Sequence, residues 1–96
     1  MKLQELENKK ILILGFGREG RDTFLFLKKL FPKKVIGVAD RNPNLSKPAL
    51  SKSYFGKKYL NTIKDYDVVI KTPGIPFKNL PKSALKKVTS QTEIFF

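Results

Sequence analysis

Ile11-Leu12-Ile13-Leu14-Gly15-Phe16-Gly17-Arg18-Glu19-Gly20 decides how this chain is read. Four apolar residues, too few for a helix, run straight into a glycine-rich turn. From Arg18 onward the pattern becomes helical. The glycines at 15, 17 and 20 form G-x-G-x-x-G, and each has its own mechanical reason. Gly15 permits a tight exit from the strand, and Gly17 admits a phosphate close to the backbone. Gly20 lets the helix pack closely on its strand. The unbonded N–H groups and positive dipole end of that helix then face one spot. A strand before the motif and a helix after it favour a nucleotide-phosphate site over a turn that uses glycine for geometry alone.

Elsewhere the pattern alternates. Lys10 to Leu14 is expected as a first strand and Arg18 to Leu30 as a helix, with Phe24, Leu27, Phe31 and Leu30 on its apolar stripe. Pro32 stops that helix. Lys34 to Ala39 reads as a second strand ending at Asp40, and Arg41 to Lys52 as a loop. Ser53 to Phe55 suggests a short third strand, whereas Tyr59 to Lys64 is too brief to assign. Asp67 to Lys71 reads as a fourth, buried strand broken by Thr72-Pro73-Gly74. Lys82 to Lys87 suggests a short helix, Val88 to Ser90 a last strand, and Thr92 a cap for a helix starting at Glu93. Such alternation predicts an α/β, Rossmann-like, doubly wound and mainly parallel sheet of about five strands, with helices on both faces. Ligands of such sheets bind beyond the carboxyl ends of the strands, where the strand order reverses. Gly15 to Gly20, Asp40 to Asn42 and Thr72 to Gly74 all converge on that edge.

The composition narrows the function. The 96 residues make one domain, burying roughly 60–65% of its unfolded surface. With neither cysteine nor histidine, thiolate and imidazole metal sites are excluded, as is the commonest general base. No apolar run approaches the roughly 20 residues of a membrane span, and Met1 to Lys10 lacks the apolar core of a signal peptide. A cytoplasmic, monomeric protein without a membrane partner is therefore expected. The net charge of +12 invites a nucleic-acid reading. The lysine pairs at 9–10, 28–29, 33–34, 57–58 and 86–87 are spread along the whole chain, however, and no recognition motif accompanies them. A general attraction to anionic ligands is the inference that stands.

Asp40 follows Gly20 by twenty residues (40 − 20 = 20), where a dinucleotide-binding domain places the acid that holds a ribose. A carboxylate there can equally accept from a base N–H, or close a local turn with Asn42. Arg41 beside it can meet a phosphate or stack on a base. A freestanding NAD(P)-binding module with a regulatory role is thus the reading the fold alone suggests. Against it, the chain offers no residues for hydride chemistry and no second mononucleotide-binding half.

Ala39-Asp40-Arg41-Asn42, Thr72-Pro73-Gly74-Ile75-Pro76 and Thr92-Glu93-Ile94, together with the Gly15 to Gly20 turn, resemble the N-terminal domain of a Mur ligase, specifically the D-glutamate-adding branch. The resemblance covers the chain from Lys10 onward with the motifs in order. It implies a Rossmann-like domain that binds the UDP moiety of UDP-N-acetylmuramoyl-L-alanine in peptidoglycan synthesis, and so a role in the cell wall, cell shape and division. Gly15, Gly17, Arg18 and Glu19 would lie along the diphosphate. Asp40, Arg41 and Asn42 would surround the uracil, and Thr72, Pro73 and Gly74 would close the far side. Glu19 departs from the pattern, because some members carry a small hydroxyl residue there. In that family a central domain uses ATP and Mg2+ to make an acyl phosphate, and a third domain helps bind the amino acid. This chain has no G-x-x-x-x-G-K-[ST] cradle for ATP. The expectation is an N-terminal fragment, inactive alone, that holds no cofactor, no metal and no catalytic residue of its own.

Overall fold

The computed structural model describes residues 3–49, 51–73 and 75–90. Five strands form one sheet: β1 (Ile11–Leu14), β2 (Ile36–Asp40), β3 (Ser51–Phe55), β4 (Val68–Lys71) and β5 (Val88–Thr89). Their order is β3-β2-β1-β4-β5, and every pairing is parallel. β1 lies at the centre, with Leu12 opposite Gly37 on one side and Val69 on the other. All four of its residues are fully buried, as an inner parallel strand covered on both faces requires.

The period-2 alternation of β1 divides the core. Ile11 and Ile13 face the layer of α1 (Arg18–Leu30), packing with Phe16, Phe24, Leu27, Ile36 and Val38. Leu12 and Leu14 face the opposite layer with Ala39, Ile63, Tyr66, Leu80 and Ala84. α1 buries Gly20, Thr23, Phe24 and Leu27, the spacing of one helical stripe. The buried Thr23 hydroxyl donates to Glu19 O at 3.0 Å, so it carries no unmet hydrogen bond. Phe31 packs half-buried against this core as expected. Leu30 does not: it is 43% exposed, on the margin of the stripe in the last turn.

Among the described residues, the opposite layer contains short 3-10 turns rather than α-helices. Tyr59–Asp65 and Lys82–Lys87 contribute Ile63 and Ala84 to the core. Chain length and proline explain the difference. Only residues 56–67 connect β3 to β4, and the link from β4 to β5 carries Pro73, Pro76 and Pro81. Neither segment can run a long uninterrupted helix.

The strands start later than the sequence suggests at Lys10, Lys34 and Asp67, each by one or two residues. The Asp67 carboxylate accepts the Lys10 N–H at 2.9 Å, so these two residues flank the ladder instead of continuing it. β3 begins earlier than expected, inside the anticipated loop. Ser51 and Lys52 pair with Ile36 and Gly37, on an edge where polar residues meet water. The helix expected from Glu93 lies outside the described residues. No helix among the described residues is long and apolar enough to cross a membrane.

Candidate functional site

β1 stands between β2 and β4, so the strand order reverses beside it. Beyond the carboxyl ends of these three strands lies a cleft of about 410 Å³, within the range of small-molecule sites. Its near wall is the glycine turn. Gly15 has a φ of +96°, in the region only glycine enters freely. Its N–H donates to Ala39 O at 2.7 Å, and a Cβ there would collide with the Thr72 hydroxyl. Thr72 is itself fixed, because its N–H and its hydroxyl both donate to Leu14 O, at 3.0 and 3.2 Å.

Phe16 anchors the turn from below. Its ring stacks on Phe55 at 6.0 Å, meets Phe24 edge-on at 5.9 Å, and lies under the Arg21 guanidinium at 4.7 Å. Gly17 then caps α1 without a side-chain hydrogen bond, leaving the first-turn amides without an intrahelical acceptor. A Cβ at Gly17 would meet nothing within 4 Å, whereas one at Gly20 would collide with the Gly15 carbonyl. Gly20 is thus a packing glycine, and Gly17 leaves open space at the mouth of the helix.

Asp40 joins the second wall to the first. Its Oδ2 accepts the Phe16 N–H at 2.7 Å, and its Oδ1 accepts the Asn42 N–H at 2.9 Å. The local turn with Asn42 therefore exists alongside a long-range tie to the glycine turn. Arg41 is exposed and lines the cleft, as do Gly15, Gly17, Arg18, Glu19, Asp40, Thr72 and Pro73. Asn42 is outside this lining, and its Oδ1 accepts the Asn44 N–H at 3.0 Å. Gly74 falls outside the described residues.

The sequence reading missed Tyr59, Ile75, Pro76 and Asn79 as lining residues. Tyr59 sits in the stretch too brief to assign. Asn79 ends a three-residue 3-10 turn, Phe77–Asn79, which leaves no periodic signal. Only Ile75 and Pro76 had a cue, since they extend the Thr72-Pro73 loop. Among the described residues no cluster of three or more His, Cys, Asp or Glu could hold a metal ion.

Sheet order, switch-point cleft and glycine turn together define a Rossmann-like α/β domain. Comparison with known proteins names its relatives. The chain is similar to UDP-N-acetylmuramoylalanine–D-glutamate ligases: 26% identical to that of Ligilactobacillus salivarius over 98% of this chain and 22% of the relative. The Streptococcus sanguinis ligase is 29% identical over 97% of this chain and 22% of its own length. That of Exiguobacterium sibiricum is 30% identical over 81% and 18%. These similarities bear out the resemblance to the N-terminal domain of a Mur ligase. The chain spans about a fifth of the length of these relatives. No family model and no solved structure matches it.

Proposed function

We propose that this domain holds the uridine diphosphate part of UDP-N-acetylmuramoyl-L-alanine, as one part of a larger, cytoplasmic ligase that adds D-glutamate during peptidoglycan synthesis. One observation carries the reading. In a chain similar to such ligases over nearly its whole length, the glycine turn, the Asp40-Arg41 pair and the Thr72-Pro73 loop border a single cleft. The turn amides and Arg18 would meet the diphosphate. Asp40 would accept from the pyrimidine N–H with lone pairs its two backbone bonds leave free, and Arg41 would lie against the ring. Asn42 would act through the turn it closes with Asp40. Activation of the carboxylate by ATP and Mg2+ would belong to other domains of the ligase, so the 96 residues alone would bind without catalysing.

A nuclear magnetic resonance titration tests this directly. UDP and UDP-N-acetylmuramoyl-L-alanine should shift the amides of Gly15 to Gly20, Asp40, Arg41 and Thr72. The affinity should be modest, because the other domains complete the site. Shifts from NADH or NADPH at this edge, with none from the uridine ligands at equal concentration, would overturn the reading.

A further inference from the structure

A chain of net charge +12 presents a cleft whose ionisable side chains balance. Arg18 and Arg41 are opposed by Glu19 and Asp40. The fold accounts for Asp40, whose two oxygens are held by the Phe16 and Asn42 amides. It accounts less fully for Glu19. That residue is exposed, in the first turn of α1, and lines the cleft at the end where the diphosphate would pass. Its backbone carbonyl accepts the Thr23 hydroxyl, a bond any residue could make. Among the described residues its carboxylate has no partner. The helix dipole favours an acid there, but it does not require one facing an anion site.

Each negative charge brought beside Glu19 costs Coulomb energy, so the cost scales with ligand charge. A diphosphate esterified at both ends carries one charge per phosphate. A free nucleoside diphosphate ends in a phosphate monoester, which carries nearly two charges at neutral pH. The extra charge would sit at the unesterified end of the ligand. We infer that Glu19 determines specificity, directing the cleft toward nucleoside diphosphates esterified at the terminal phosphate and against free nucleoside diphosphates. The inference rests on the uridine-nucleotide reading above. Its consequence is that free UDP competes poorly with a UDP-sugar for this domain.

Calorimetric titration of the 96-residue chain with UDP and with UDP-N-acetylglucosamine tests it, in the parent, Glu19→Gln and Glu19→Asp. The parent should prefer the diester. Glu19→Gln should raise the affinity of both ligands and UDP the more, by about three- to tenfold for UDP against about two- to fivefold for the diester. Glu19→Asp, which keeps the charge, should retain the parent preference. An affinity ratio unchanged in Glu19→Gln overturns the inference while leaving the nucleotide site intact. Failure of both ligands to bind the parent removes the nucleotide reading, and this inference with it. Glu19→Asp should keep the parent's thermal midpoint, and Glu19→Gln should lower it only slightly, because Glu19 is exposed and the variant loses only the favourable charge in the first turn of α1.

Discussion

The Asp40 carboxylate accepts the backbone N–H of Phe16, 24 residues earlier in the chain, at 2.7 Å. This bond ties the end of β2 to the middle of the glycine turn. It gives an acid that sequence rules assign to ligand binding another task, holding the glycine turn in shape. Asp40 thus links the two halves of the cleft before any ligand arrives.

Replacing Asp40 with Ala should therefore do more than remove a ligand contact. The part-buried Phe16 N–H would lose its acceptor, which costs about 1–3 kcal/mol. We expect a lower urea midpoint, together with weaker binding of both inorganic diphosphate and UDP, the loss being larger for UDP, whose pyrimidine N–H would also lose its acceptor. Unchanged stability would show that the carboxylate serves only the ligand.

The glycines of the turn should separate by role. Gly17→Val places its side chain where the protein has nothing within 4 Å, so the fold should survive, losing about 1 kcal/mol for the poorer N-cap of α1. Binding of UDP should weaken at least about tenfold, or about 1.4 kcal/mol, because the branched side chain occupies the phosphate path. Gly20→Ala should behave oppositely. Its Cβ would meet the Gly15 carbonyl, destabilising the fold by about 1–3 kcal/mol through overpacking. Denaturation and titration of both variants check the contrast, and a Gly17→Val protein that binds like the parent would remove the phosphates from this turn.

Why was this part legible in the sequence and other parts not? The turn combines a buried strand, three glycines and an apolar helical stripe within twenty residues, and each constrains the others. β4 was legible as a short apolar run. β3 was read too short because Ser51 and Lys52, on an exposed edge, carry no apolar alternation. Tyr59 and Asn79 also line the cleft, from 3-10 turns whose few residues show no period. Charge balance in the cleft was also hidden, since it depends on which four charged residues meet there. Gly37 gave no sign of its role. Only the fold shows that its missing side chain makes room for the Tyr66 phenol.

That phenol supplies a pH test. Tyr66 shares a 2.9 Å hydrogen bond with Tyr54. Burial first, then this bond, pushes its pKa above the ordinary tyrosine value. The folded state therefore favours the protonated form. This contribution is complete below the unfolded value of about 10 and is lost as pH rises beyond it. Stability of the parent should fall more steeply above about pH 10 than that of Tyr66→Phe, which cannot ionise at this position. At neutral pH Tyr66→Phe should lose about 1 kcal/mol, and Gly37→Ala should lose more because its Cβ strikes the ring. Parallel alkaline profiles for parent and Tyr66→Phe would refute the assignment.

The purified 96-residue chain should neither hydrolyse ATP nor form an amide bond. It has no phosphate-loop lysine motif and no histidine. ATP turnover dependent on UDP-N-acetylmuramoyl-L-alanine, measured by phosphate release, would contradict the division of labour proposed between domains.

Variants of Arg41 test whether the cleft reads a base or only a charge. Its backbone is held in the turn closed by the Asn42 N–H and Asp40 Oδ1, and its side chain is exposed at the cleft. A guanidinium can lie flat on a pyrimidine, whereas an ammonium presents only a point charge. Arg41→Lys keeps the charge and removes the plane. If Arg41 covers the uracil, this variant should bind UDP about two- to fivefold more weakly, equivalent to the roughly 0.5–1 kcal/mol of an exposed cation–π contact. Inorganic diphosphate, which has no ring, should bind the variant and the parent equally. Were Arg41 a phosphate ligand instead, Arg41→Ala and, to a smaller extent, Arg41→Lys would weaken UDP and inorganic diphosphate together. The two patterns are exclusive, and titration of UDP and diphosphate into three proteins distinguishes them.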